Sequence, residues 1–191
     1  MLKPLRLSIV VSALAVAALV FAPSASAVSP HLKGGVKNNP AFTDNGLSLT
    51  AVVSYAGLGN FDTLQTLTAT ANATADCVNP GSGEHRPAGQ NPAPVTVSGG
   101  TAVPRSEIDN GNVTISTTTG APVSPIPGAP GCPNSNWIEN ITGLAFTTAT
   151  ITVRQDTDGD STFETLVLTV NCTFSPATSD GLVPASGRTC S

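Results

Sequence analysis

An acidic stretch late in the chain has the residue types and spacing of a cation site. It reads DTDGD over residues 156–160 and is followed by Glu164. Hard cations such as Ca²⁺ are bound by several carboxylate oxygens that converge from a tight turn. The stretch therefore predicts a calcium site, and the sequence indicates no other cofactor. The predicted ligands are Asp156, Asp158 and Asp160.

Two features of the same stretch favour an ordinary turn instead. An EF-hand loop needs Gly at its sixth position and Glu at its twelfth, and this chain has Ser161 and Val167 there. Acidic Asp-Gly pairs also occur in hairpin turns that bind no ion. Both interpretations stay open from the sequence.

A second cluster, Glu84-His85-Arg86, lies in a loop rich in Pro and Gly. A histidine beside a carboxylate could act as a general base, but adjacent residues of an extended chain point in different directions. The other histidine of the chain is His31, and a serine or cysteine hydrolase would need one of the two. No G-x-S-x-G or H-E-x-x-H motif is present. We therefore expect a solvated loop and no enzymatic activity, with a cryptic hydrolase as the weaker alternative.

The four cysteines predict two disulfides. None of them shows the C-x-x-C spacing that zinc sites favour. Cys77 ends a predicted strand before one Pro/Gly-rich loop and Cys132 ends a second such loop, so a bridge between them would fasten both loops. The remaining bridge, between Cys172 and Cys190, would hold the C-terminal tail to the last long strand. The alternative pairing of Cys77 with Cys172 would resemble the inter-sheet bridge of immunoglobulin domains.

The N-terminus has the organisation of a signal peptide. Lys3 and Arg6 precede the apolar run LSIVVSALAVAALVFA, which ends in PSASA. The run is shorter than the roughly 20 residues that a transmembrane helix needs, and the small-residue motif predicts cleavage after Ala27. We expect a secreted, extracellular protein that begins at Val28 and has no membrane span in its mature chain.

Composition and charge exclude several classes of partner. The 191 residues include 12 acidic and 8 basic residues, for a formal net charge of −4, and loss of the two basic residues of the leader makes it −6. No cluster of Lys and Arg is present, so the chain lacks the electrostatic pattern that binds nucleic acid or anionic lipid. We expect an extracellular or envelope partner whose identity the sequence does not indicate.

Alternation of apolar and polar residues with a period of two is the main structural signal. The stretches LSLTAVVSY and TLQTLTATANATADC each place apolar side chains on one face and Thr or Ser on the other. AFTTATITVRQ and TFETLVLTVNCTF predict a β-hairpin that turns near Asp158-Gly159. The predicted inward face of the second of these strands consists of Leu166, Leu168, Val170, Cys172 and Phe174.

Six to eight such strands and no amphipathic helix outside the leader predict an all-β fold. The predicted architecture is an antiparallel β-sandwich of the immunoglobulin-like, Greek-key type with two disulfides. The predicted organisation is a signal peptide (1–27), a flexible N-terminal segment (28–45), the sandwich domain (46–175) and a C-terminal tail tied by a disulfide (176–191).

Several short motifs resemble a group of small secreted proteins of actinomycetes. They are the A-x-A leader, AGLGN, the strand ending in CVNPG, PAGQNP, VPRSEIDNGNVTI and CPNSNW. The resemblance covers residues 46–175, includes Cys77 and Cys132, and implies no particular activity. By composition the chain is also similar to the neocarzinostatin-type apoproteins, secreted immunoglobulin-like carriers of a small chromophore, although it lacks their short cysteine loops.

These observations favour a secreted, non-catalytic β-sandwich that acts as a structural or binding module in the cell envelope or the medium. The alternative is a carrier of a small ligand, which a deep apolar cleft between the two sheets would support.

Overall fold

The structure is a computed structural model that describes residues 29–37, 39–87, 93–125, 132 and 135–191. The predicted leader lies outside the described residues. In the described part of the chain, no helix is long and apolar enough to cross a membrane. The strands are His31–Leu32 (β1), Ala41–Asp44 (β2), Leu49–Ala56 (β3), Asp62–Val78 (β4), His85–Pro87 (β5), Val95–Val103 (β6), Val113–Thr118 (β7), Ile138–Asp156 (β8), Thr165–Phe174 (β9), Gly181–Leu182 (β10) and Arg188–Cys190 (β11).

The strands form two antiparallel sheets. In sheet A, β7 pairs along one edge of β3, β1 and β2 pair in line along its other edge, and β10 pairs with β2. In sheet B, β4 pairs with β8 over its whole length, β9 and β11 continue beyond β8, and β6 and β5 pair along the other edge of β4. The predicted antiparallel β-sandwich is confirmed. Its assignment to the immunoglobulin-like, Greek-key class stays a prediction.

The core lies between the sheets and is built from alternate residues of the strands. Along β3, the inward residues Leu49, Ala51, Val53 and Tyr55 are fully buried, while the residues between them are half-buried or exposed. Aromatic rings from the two sheets meet in the core, where Phe42 and Phe174 pack edge to face with ring centroids 5.1 Å apart. This alternation is the pattern that the sequence predicts for a sheet with one dry face.

A series of buried hydrogen bonds joins the two sheets across the core. The Tyr55 hydroxyl donates to Gln65 Oε1 at 2.5 Å, and Gln65 Nε2 donates to Thr117 Oγ1 at 2.8 Å. Gln65 belongs to sheet B and its two partners belong to sheet A. Burial raises the pKa of the Tyr55 phenol well above its ordinary value, so the phenol stays a neutral donor. These two hydrogen bonds satisfy the side-chain amide of Gln65. Burial of that amide without partners would cost free energy.

Replacement of Tyr55 by Phe is expected to lower the free energy of unfolding by about 1–3 kcal/mol, because Gln65 Oε1 loses its donor in a buried position. Urea denaturation of the wild-type and Y55F proteins measures this change. Addition of Gln65→Met to Y55F should recover part of the loss, since it removes the polar group left without a donor. A change below about 0.5 kcal/mol in Y55F alone would show that the hydrogen bond does not stabilise the core.

One residue of the predicted inward face of β9 points outward. Leu166 is 50% exposed. Leu166 pairs with Arg154 and Leu168 pairs with Val153, which leaves Val167 as an extra residue without its own partner on β8. Such a β-bulge reverses the alternation on one side of it, and the prediction for Leu166 is therefore wrong.

Both terminal segments of the described chain belong to the sandwich. The segment 28–45, predicted to be flexible, contributes β1 and β2 to sheet A, and Phe42 of β2 is fully buried. The tail 176–191 adds β10 to sheet A and β11 to sheet B, and its Val183 is buried. These strands extend the sheets beyond the predicted domain boundaries at 46 and 175.

Both predicted disulfides are present. Cys77 is bonded to Cys132, with their Cα atoms 5.7 Å apart, and Cys172 is bonded to Cys190, with their Cα atoms 4.1 Å apart. Cys172 and Cys190 face each other on β9 and β11, so this bridge holds the tail to sheet B. The preferred pairing is confirmed, and the alternative pairing of Cys77 with Cys172 is wrong.

Candidate functional site

The acidic hairpin between β8 and β9 is the densest group of carboxylates in the described residues. Its four members, called the acidic cluster below, are Asp156, Asp158, Asp160 and Glu164. One carboxylate oxygen from each lies within 4.8 Å of the others. The structure thus brings the three predicted ligands together and adds Glu164 as a fourth.

Backbone amides of the hairpin hold Asp156 in place. Asp156 Oδ1 accepts a hydrogen bond from the Gly159 N–H at 2.6 Å, and Oδ2 accepts one from the Ser161 N–H at 2.9 Å. Ser161 has a φ of +70°, which lies in the left-handed region that glycine usually occupies. The loop therefore takes the tight turn that calcium loops form at their sixth position, although this chain has Ser there.

Hydroxyl groups hold the other end of the cluster. Thr162 Oγ1 lies 2.6 Å from Asp160 Oδ1 and 2.9 Å from Glu164 Oε2, and the Thr157 hydroxyl donates to Glu164 Oε1 at 3.2 Å. A hydrogen bond from its own backbone N–H and one from the Thr162 hydroxyl lower the pKa of Glu164. The Glu164 carboxylate is therefore charged at neutral pH, as a cation ligand must be.

The spacing of the cluster fits part of a calcium loop. Asp156, Asp158, Asp160 and Glu164 correspond to positions one, three, five and nine of such a loop. The carboxylate that an EF-hand supplies at position twelve is replaced by Val167 in β9. Four converging carboxylates suit a hard divalent cation, and calcium binding at this hairpin stays a prediction.

Calcium at millimolar concentration is expected to raise the melting temperature by about 5 °C. At 10 mM calcium, a site with a dissociation constant of about 10⁻⁴–10⁻³ M, as in extracellular modules, adds roughly 1–3 kcal/mol to the stability. Thermal unfolding followed by circular dichroism, with calcium and with a chelator, measures the shift.

The variant D158N/D160N is the control for this experiment, because it removes two charges from the exposed part of the cluster. Its melting temperature should not respond to calcium. An unchanged melting temperature of the wild-type protein at 10 mM calcium would remove the site, and an equal shift in the variant would place calcium elsewhere.

In the second predicted cluster, Glu84-His85-Arg86, the histidine pairs with Asp76 at the other end of sheet B. His85 lies in β5 and its Nδ1 is 2.6 Å from Asp76 Oδ2 of β4. The hydrogen bond with His85 is the main cause of a lowered Asp76 pKa. The second histidine, His31, contacts the carbonyl oxygen of Ser29 through Nδ1. Among the described residues, no Ser, Thr or Cys side chain is hydrogen-bonded to either imidazole.

No protein-family model, curated protein or solved structure matches this chain.

A cavity of about 350 Å³ lies beside the acidic hairpin. Its apolar walls come from Ala102, Val103, Pro104 and Phe163, and its carboxylates come from Asp62 and Asp156. Arg105 donates from its backbone N–H and its guanidinium group to Asp62, at 2.6 and 3.1 Å. This contact could not be predicted from the sequence, because Asp62 and Arg105 are 43 positions apart and no spacing pattern links them.

Proposed function

We propose that this protein is exported and acts outside the cell as a non-catalytic β-sandwich module, with a structural or binding role in the envelope or the medium. The observation that carries the proposal is the pair of disulfides, which leaves no free cysteine in the chain. Disulfides form and persist in oxidising compartments and are rare where glutathione and thioredoxin keep thiols reduced. The leader that the sequence predicts supports the same location.

The position of the disulfides supports a role in which the molecule must survive outside the cell. One bridge joins the end region of β4 to the segment before β8, and the other joins β9 to the C-terminal strand β11. Each bridge closes a loop of the chain and restricts the unfolded state, which raises the stability of the folded one. A small domain with few aromatic residues gains from such cross-links.

The charge of the chain restricts the partners of the proposed module. A formal net charge of −4, with eight basic residues in the whole sequence, gives little attraction for nucleic acid or anionic lipid. The resemblance to small secreted proteins of actinomycetes is in keeping with an envelope or extracellular component. We propose a neutral or cationic partner in that compartment.

Expression of the full chain in an actinomycete host tests the proposal. The expected result is protein in the medium or the envelope fraction, an N-terminus at Val28 by peptide sequencing, and four cysteines protected from alkylation before reduction. A control with A25R and A27R, which disrupts the cleavage motif, should retain the leader. Full-length protein with free thiols in the cytoplasm would contradict the proposal.

A further inference from the structure

The cavity beside the acidic hairpin combines an apolar floor with two carboxylates. Ala102, Val103 and Pro104 come from the end of β6 and the residue after it, and Phe163 comes from the hairpin. The volume of about 350 Å³ lies in the range of small-molecule pockets, about 300–1,000 Å³. The cavity is therefore large enough for a small organic molecule, and its walls favour an apolar body.

The two carboxylates of the cavity are fixed by hydrogen bonds yet keep acceptor capacity. Asp62 accepts from Arg105, which lowers the Asp62 pKa through the backbone and side-chain hydrogen bonds. Asp156 is 3% exposed and accepts one N–H on each oxygen. Each carboxylate oxygen can accept more than one hydrogen bond. A donor inside the cavity would therefore find oriented acceptors.

The charged groups around the cavity determine which sign of charge a ligand should carry. The negative groups are five carboxylates, four from the acidic cluster and one from Asp62. The positive groups are two guanidinium groups, those of Arg105 and Arg154. Arg105 is bonded to Asp62, and Arg154 donates to the carbonyl oxygen of Glu164 at 2.9 Å. An excess of negative charge remains, which repels anions and attracts cations.

We propose that this cavity binds a small organic ammonium ion with an apolar body. The ammonium group lies between the Asp62 and Asp156 carboxylates, and the body packs against Phe163 and Pro104. The ring of Phe163 adds a cation–π contribution when the ammonium group lies near its face. A neutral apolar ligand would cover the carboxylates without satisfying them, which costs free energy, and a bare metal ion would gain nothing from the apolar walls.

This inference goes beyond the proposed extracellular role and does not depend on it, because binding is measured on the purified, oxidised protein. Benzylammonium chloride is the probe and benzyl alcohol is its neutral counterpart of similar shape. The readout is the change in backbone amide chemical shifts of the ¹⁵N-labelled protein, in the presence of a chelator. Benzylammonium should shift the amides of Val103, Ser161 and Phe163 in a saturable manner, and benzyl alcohol should bind at least about tenfold more weakly.

Two pairs of variants locate the site. A102F fills the cavity and should abolish the shifts, whereas S98F adds the same ring to an exposed position on the same strand and should leave them unchanged. D62N should weaken benzylammonium binding about tenfold and leaves the hydrogen bonds of the hairpin backbone in place, whereas D180N removes the same charge from an exposed position outside the cavity and should have little effect.

Three results would overturn the proposal: equal affinity for benzyl alcohol, shifts that survive in A102F, or equal weakening by D62N and D180N. The first would show that charge does not select the ligand, the second that the ligand is elsewhere, and the third that only the net charge attracts it. None of these results bears on export or on the disulfides, so failure here is distinguishable from failure of the proposed function.

Discussion

Replacement of Gly99 by alanine is expected to destabilise the sandwich by about 3 kcal/mol or more. A Cβ atom at Gly99 would lie 2.1 Å from the Thr118 carbonyl oxygen and 2.9 Å from its carbon. Thr118 cannot easily move away, because two hydrogen bonds hold the next residue, Thr119. The Thr119 N–H donates to the Leu49 carbonyl oxygen, and the Leu49 N–H donates to the Thr119 hydroxyl oxygen. Side chains forced into a packed interior against backbone atoms cost 1–3 kcal/mol and sometimes more.

Gly100 is the matched control, since it is the next residue of the same strand. A Cβ atom there would lie 3.5 Å from Leu64 Cδ1, which is an ordinary contact. G100A should therefore be neutral or stabilise by a few tenths of a kcal/mol, because alanine loses less backbone entropy than glycine in a strand. Urea denaturation of both variants provides the comparison, and equal effects in the two would show that the close approach of β6 and β7 does not constrain the fold.

Removal of the bridge between Cys77 and Cys132 is expected to lower the free energy of unfolding by about 4 kcal/mol. The two residues are 55 positions apart, and the chain-entropy relation gives about this value for a loop of that length. The variant C77A/C132A keeps the other disulfide and avoids a free thiol. Equilibrium denaturation in urea, without reductant, measures the change.

The variant C172A/C190A is the comparison, because its loop spans 18 positions and the same relation gives about 3 kcal/mol. The four-cysteine variant should lose about the sum, or fail to fold at 37 °C. A stability of C77A/C132A within about 1 kcal/mol of the wild-type value would contradict the prediction and would indicate that the unfolded chain is restricted by other means.

Much of the core could be predicted from the sequence because long strands show their alternation directly. β3 is eight residues long and β4 is seventeen, so each repeats the inward and outward pattern several times. Leu67 and Ala69, predicted to face inward, are buried. The disulfide pairing could also be predicted, because a bridge from Cys77 to Cys132 fastens two long loops and a bridge from Cys172 to Cys190 fastens the C-terminal tail.

The short strands and the bulge could not be predicted in the same way. β1, β10 and β11 have two or three residues each, which is too few to show a period of two. Their place in the sheets is fixed by pairing with strands far away in the sequence, as when Leu182 pairs with Thr43. The exposure of Leu166 depends on one extra residue in the ladder between β8 and β9, which alternation alone does not reveal.

The candidate site likewise has features that could be predicted from the sequence and features that could not. The three aspartates of the hairpin are close in sequence, so their convergence could be predicted from a tight turn. The left-handed conformation of Ser161 could not, because residues other than glycine rarely adopt it. The cavity depends on Asp62, Ala102 and Phe163, which three separate parts of the chain bring together.

The pairing of β4 with β8 extends over the whole of β4, with two register shifts, and gives the molecule two distant poles. β8 runs from Ile138, close in sequence to Cys132, to Asp156 of the acidic cluster. The 17 residues of β4 that pair with β8 span at most roughly 55 Å at about 3.3 Å per residue. Two neighbours, one at each pole, could therefore be held at a fixed separation without touching each other, so the paired strands would serve as a spacer.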